Sequence, residues 1–85
     1  MTKREKLIER IMCAKSDAAV PFNELCELLH ALGFVERVRG SHHIFTRNDV
    51  AEILNLQPKG SMAKAYQVKQ IRSLLTRYRL GGHYA

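Results

Sequence analysis

Two adjacent histidines, His42 and His43, follow a glycine and a serine in a chain of 85 residues. Gly40 permits a tight turn that residues with a Cβ resist, and Ser41 can hydrogen-bond local backbone groups and hold that turn. His42 is therefore expected at the first position of a strand, where one imidazole can give or take a proton near neutral pH. This chemistry suits general acid–base catalysis, although a histidine at an exposed strand end is also a common polar surface residue.

The sequence does not predict a metal site or a cofactor. Successive residues of a strand point to opposite faces, so His42 and His43 cannot easily bind one ion, and no HxxxH spacing or nearby carboxylate pair assists them. Cys13 and Cys26 lie inside apolar helical patterns and form no CxxC pair. We expect them to be buried free thiols.

The net positive charge belongs to the C-terminal part of the chain. Residues 1–52 carry eight basic and eight acidic groups, whereas residues 53–85 carry six basic groups and no acidic one. This asymmetry indicates a polyanionic partner, and nucleic acid is the first candidate. The alternative is a solvated basic helix that only maintains solubility. The cations expected to contact phosphate are Arg39, Lys64, Lys69, Arg72 and Arg79.

The periodicity of apolar residues predicts three helices and three strands. In chain order these are helices at about 3–15 and 21–32, strands at 34–39, 42–47 and 53–57, and a helix at 66–80. We expect the side of the second strand that carries Phe45 and His43 to face the core. His42 then lies on the face without helices. A sheet that is apolar on one face must be covered by helices on that face. The expected fold class is α+β, a two-layer sandwich with one open sheet face.

Residues 1–20 are expected to form an amphipathic helix and linker before a domain at 21–85. The helix has an apolar stripe (Leu7, Ile8, Ile11 and Met12), and a helix of about 13 residues is marginal alone. The stripe must pack either on its own domain or against another chain. A symmetric homo-oligomer through residues 3–15 is one form of the second choice.

No apolar run approaches the ~20 residues of a membrane span. The N-terminal residues alternate apolar with charged side chains, unlike the apolar core of a signal peptide. We therefore expect a cytoplasmic protein with no membrane partner.

Residues 22–80 resemble the HicA family, small toxins of type II toxin–antitoxin systems. Three segments carry the resemblance: Leu-Gly-Phe at 32–34, Gly-Ser-His-His-Ile-Phe at 40–45, and Tyr-Gln-Val-Lys-Gln-Ile-Arg at 66–72. Asn-Leu-Gln at 55–57 fits one branch of the same family. Residues 1–20 extend beyond the usual short toxin.

The resemblance implies a fold like a double-stranded-RNA-binding domain, α-β-β-β-α, here with an extra N-terminal helix. It also implies metal-independent cleavage of mRNA, neutralisation by a HicB-type antitoxin, and a catalytic histidine at His42. Gly40 and Ser41 would shape the turn beside it, and His43 would be structural. Two alternatives remain: a non-catalytic RNA- or DNA-binding module that uses the basic C-terminal helix, and an inactive domain that only binds an antitoxin.

Overall fold

The computed structural model describes residues 2–13 and 17–80. Its elements are α1 (Lys3–Cys13), a 3-10 turn (Asp17–Ala19), α2 (Phe22–Ala31), β1 (Val35–Arg39), β2 (His42–Arg47), β3 (Val50–Leu56) and α3 (Ala65–Arg77). The predicted α+β class is confirmed, with the order α-β-β-β-α preceded by one more helix. None of the described helices is long and apolar enough to cross a bilayer.

Two predicted boundaries differ from the observed ones by three residues. β3 begins at Val50, three residues earlier than predicted, because Val50 pairs with Arg47 across the turn and is itself buried. α3 ends at Arg77 and not at residue 80. Residues 14 and 15, predicted as the end of the first helix, lie outside the described part of the chain.

The end of α2 directs the chain into the sheet. Gly33 has a φ of +91°, a backbone conformation that side chains with a Cβ disfavour. Its N–H donates to the His30 carbonyl, and the Phe34 N–H donates to the Leu29 carbonyl. These two bonds form a Schellman motif, which satisfies the last carbonyls of the helix and places Phe34 in the core.

A tight hairpin sets the faces of the sheet, whose strands are antiparallel in the order β1-β2-β3. Gly40 starts the two-residue turn with a φ of +59°, as hairpin turns of this length require at the first position. Arg39 then pairs with His42, and Val38 pairs with His43. Because side chains alternate along a strand, His42 and His43 belong to opposite faces.

One face of the sheet is covered by helices and the other is open. The fully buried apolar side chains of the covered face, α2 and α3 are Phe45, Leu54, Leu56, Leu25, Leu29, Val68, Ile71 and Leu75. On the opposite face, Val35 and Ile53 remain 67% and 64% exposed. The predicted two-layer arrangement with one open sheet face is therefore present in the described residues.

The apolar stripe of α1 packs on its own domain. Leu7, Ile8 and Ile11 are buried, and α1 contacts both α2 and α3. Arg72 of α3 strengthens this attachment by donating to the Ile11 carbonyl at 2.8 Å. Of the two choices open from the sequence, the stripe takes the first, so it no longer argues for a homo-oligomer through residues 3–15.

Candidate catalytic and nucleic-acid-binding face

His42 is the first residue of β2 and is exposed on the open face of the sheet. Its Nδ1 lies 3.0 Å from Oδ1 of Asn55 on β3, which the sheet brings close because Ile44 and Asn55 are paired. A carboxamide oxygen only accepts hydrogen bonds, so Nδ1 carries the proton in this contact and Nε2 is the basic nitrogen of the neutral ring. The sequence did not single out Asn55, because its distance from His42 along the chain hides the contact between the two side chains.

Two arginines share the open face with His42. Arg39 pairs directly with His42, and Arg37 pairs with Ile44, so the alternation of β1 places both arginines on this side. Both are exposed, and neither belongs to an ion pair among residues 2–13 and 17–80. Arg37 was not among the predicted phosphate contacts, although its spacing of two from Arg39 on a predicted strand is a usable signal.

The tip of the hairpin is tied to the beginning of α3. Gln57 donates from Nε2 to Ser41 Oγ at 2.9 Å, and Lys64 Nζ donates to Gln57 Oε1 at 3.4 Å. Lys64 is the N-cap residue of α3. These bonds brace the turn next to His42 and bring Lys64 to the same end of the sheet.

The remaining predicted phosphate contacts do not join this face. Arg72 makes two hydrogen bonds to Asp17, at 2.9 and 3.0 Å. They are the main reason that the pKa of this carboxyl lies below its usual value, and Lys69 adds to the effect. Arg79 lies beyond the end of α3 with a φ of +54°. Since α3 packs on the covered side of the sheet, the structure does not bring Arg72 and Lys69 together with His42.

The positive charge of the C-terminal part is partly neutralised by acids from earlier in the chain. Besides the pair of Arg72 with Asp17, Arg77 forms an ion pair with Glu52 on β3. The Glu52 carboxylate also accepts a hydrogen bond from the Tyr78 hydroxyl, which is the largest cause of its lowered pKa. The charge count of residues 53–85 therefore overstates the cations available to a polyanion.

His43 belongs to a different group of polar side chains, on the covered face. Its Nδ1 is 2.6 Å from Oε2 of Glu36, whose Oε1 is 2.7 Å from Nε2 of His30. The ring packs edge-on against Phe22, with 4.9 Å between ring centroids. The hydrogen bond with His43 is the largest cause of the lowered pKa of Glu36.

Cys26 completes this group from the side of α2. One ligand atom each from Cys26, Glu36 and His43 lies within 4.8 Å of the others. Burial raises the pKa of the Cys26 thiol to about 11, and the charge of Glu36 adds to this effect. No motif in the sequence indicates this cluster, because its members come from three different elements. These three residues are able to hold a cation.

A comparison with known proteins agrees with the motifs at the hairpin. The family model described as HicA toxin of bacterial toxin–antitoxin matches residues 22–76, which are 55 of the 85 residues. No curated protein and no solved structure matches the chain. The matched segment contains the whole hairpin, Asn55 and most of α3. The chain therefore belongs to the HicA toxins of bacterial toxin–antitoxin systems.

Proposed function

We propose that this toxin is a metal-independent endoribonuclease that cleaves mRNA in the cytoplasm, with His42 as its general acid or base. One observation carries the proposal: His42 is exposed at the start of β2, and its Nδ1 is held by Asn55 at 3.0 Å. This contact leaves Nε2 as the nitrogen that exchanges a proton with a bound molecule.

RNA supplies its own nucleophile in this reaction. The 2′-oxygen loses its proton and attacks the adjacent phosphorus, the bond from phosphorus to the 5′-oxygen breaks, and the leaving oxygen takes up a proton. The products are a 2′,3′-cyclic phosphate and a 5′-hydroxyl. A single imidazole can serve either proton transfer, which typically contributes about 10²–10⁴-fold to the rate.

The open face also offers cations for the phosphate. Arg39 pairs with His42 across the hairpin, and Arg37 lies two residues along the same side of β1. Lys64 lies at the hairpin tip through its bond to Gln57. Positive groups near the scissile phosphate stabilise the charge that develops on its oxygens. We therefore propose Arg37, Arg39 and Lys64 as the RNA contacts and leave Arg72 out, because its guanidinium is bonded to Asp17.

The antitoxin we propose is a HicB-type protein. The exposed apolar side chains of the open face, Val35 and Ile53, give such a partner a surface that includes His42. An antitoxin bound there would exclude RNA from the catalytic histidine.

The test is cleavage of a single-stranded RNA by the purified full chain in EDTA. Wild type should cut the RNA to products ending in a 2′,3′-cyclic phosphate, and His42→Ala should lose about 10²–10⁴-fold in rate. The same variant should still bind RNA, because the arginines remain. Unfolding of both proteins in urea provides the control for folding.

The two alternative functions predict different outcomes in this assay. A non-catalytic RNA-binding module binds RNA without cutting it, and an inactive antitoxin-binding domain does neither. Cleavage that His42→Ala leaves at the wild-type rate would assign the chemistry to another residue.

A further inference from the structure

We propose that Cys26, Glu36 and His43 form a zinc site on the covered face of the sheet, separate from the proposed catalytic face. The three side chains come from α2, β1 and β2, and one ligand atom of each lies within 4.8 Å of the other two. The strand pairing that places His42 and His43 on opposite faces also separates this site from the open face, which carries His42.

The set of ligand atoms selects the metal. A thiolate sulfur, an imidazole nitrogen and a carboxylate oxygen are the three ligand types that Zn²⁺ takes in proteins, whereas Mg²⁺ and Ca²⁺ prefer oxygen alone. The thiolate and the carboxylate together neutralise the two charges of the ion. A tetrahedral zinc with bonds of about 2.0–2.3 Å needs ligand atoms roughly 3.3–3.6 Å apart. The most distant ligand atoms, which lie within 4.8 Å of each other, must therefore approach by about 1 Å, and the 2.6 Å contact between His43 and Glu36 must lengthen by somewhat less than about 1 Å.

In the metal-free protein, a proton occupies the place proposed for the metal ion. A proton lies between His43 Nδ1 and Glu36 Oε2, which are 2.6 Å apart, and a metal ion would replace that proton. The Cys26 thiol has no hydrogen bond with any residue of the described part of the chain, so its sulfur is free to bind. Zinc binding would then release the thiol proton, while the proton of this hydrogen bond would move to Nε2 of the neutral imidazole ring.

The surroundings hold the ligands in place. Phe22 packs edge-on against the His43 ring, which restricts its rotation. His30 Nε2 bonds the second oxygen of Glu36 at 2.7 Å, in the way that outer partners orient metal-binding carboxylates. A surface groove lined by Phe22, Asn23, Pro58 and Ser61 opens onto the three ligands, so a water molecule can fill the fourth position of the ion.

The proposal is tested by titrating the EDTA-treated, reduced full chain with Zn²⁺, and with Co²⁺ as a spectroscopic probe. Wild type should bind one equivalent, and the cobalt form should show a thiolate-to-metal charge-transfer band. Cys26→Ala should abolish that band. Loss of an outer partner costs about 10–100-fold in metal affinity, so His30→Gln should weaken binding by that factor and loss of a ligand, as in Cys26→Ala or His43→Gln, by more.

Cys13→Ser is the matched control, because Cys13 is an exposed cysteine outside the cluster. It should bind zinc as wild type does. Affinity should rise about tenfold from pH 7 to pH 8, because binding releases the thiol proton. Absence of binding by wild type at micromolar zinc would overturn the proposal, and so would binding that Cys26→Ala retains or that Cys13→Ser loses.

The proposal of a zinc site and the proposal of ribonuclease activity are tested independently of each other. His42→Ala should bind zinc like wild type while losing cleavage, and Cys26→Ala should cleave RNA in EDTA while losing zinc. The assays are run well below the unfolding temperature of the metal-free protein, which is measured for each variant.

Discussion

His42 and His43 are neighbours in the chain and have opposite environments. His42 is exposed and is held by one neutral amide, that of Asn55. The side chain of His43 is only 26% exposed, is bonded to the Glu36 carboxylate and packs against Phe22. The comparison shows that the face of the strand, and not the residue type, decides whether an imidazole is available to a substrate. The two faces of this hairpin should therefore respond differently to substitution.

The largest expected effect on stability is on the covered side, at Arg72. Arg72→Ala leaves Asp17, whose side chain is 12% exposed, without its partner and removes the bond to Ile11. We expect the free energy of unfolding in urea to fall by about 2–3 kcal/mol. Arg39→Ala, an exposed arginine of the open face, is the control and should change stability by no more than about 0.5 kcal/mol. If Arg72→Ala is stable and binds RNA more weakly than Arg39→Ala does, Arg72 contacts RNA and the account is wrong on this point.

The same ion pair sets part of the acid dependence of stability. The folded-state pKa of Asp17 is lowered, chiefly by Arg72, so its stabilisation is fully present above the ordinary carboxyl pKa of about 3.9 and is lost as pH falls through the lower folded value. Urea unfolding measured from pH 6 to pH 3 should show wild type losing stability below about pH 4. Asp17→Asn should be less stable at pH 6 and less sensitive to acid. A variant with the wild-type slope would show that Asp17 does not contribute.

The sequence predicts the elements of this fold because their signals are local. The periodicity of apolar residues predicts α1 and α2, and Gly33 predicts where α2 ends. The alternation of side chains around Phe45 predicts that His42 and His43 lie on different faces of the sheet. The start of β3 was predicted three residues late, because Asn48 and Asp49 form a turn that β3 follows immediately.

The contacts between distant elements were not predictable in the same way. Arg72 and Asp17 are 55 residues apart, and no charge pattern on α3 indicates which of its cations is paired. Asn55 reaches His42 only because the register of β2 and β3 pairs it with Ile44. The cluster of Cys26, Glu36 and His43 depends on how α2 lies on the sheet, which single-sequence periodicity does not specify.

On the open face, the next expected effect concerns Asn55. Asn55→Ala removes the hydrogen bond that holds His42, worth about 1 kcal/mol, and we expect cleavage to fall by about fivefold to tenfold. Asn55→Asp keeps an acceptor for Nδ1 and should retain more activity, and its added charge should move the limb of the pH–rate profile that reports His42 to higher pH. Identical cleavage rates and pH profiles in wild type, Asn55→Ala and Asn55→Asp would show that Asn55 does not contribute to catalysis.

The smallest expected effects come from single arginines of β1. Arg37→Ala and Arg39→Ala should each weaken RNA binding for all sequences alike, by a few-fold, and flatten the dependence of log affinity on log salt by about one unit. Lys69→Ala is the matched control, an exposed cation on α3. Binding measured by fluorescence anisotropy between 50 and 200 mM salt should leave Lys69→Ala close to wild type. A larger change for Lys69→Ala than for Arg39→Ala would place RNA on the helix side.

The contrast between the two histidines is tested most directly by measuring RNA cleavage in EDTA for His42→Ala and His43→Gln at equal concentrations of folded protein. We expect His42→Ala to lose about 10²–10⁴-fold in rate and no more than about 1 kcal/mol of unfolding free energy. His43→Gln should lose about 1–2 kcal/mol of unfolding free energy and far less of its cleavage rate. Equal rates for the two variants, or a greater loss of cleavage in His43→Gln, would contradict the assignment of the chemistry to the open face.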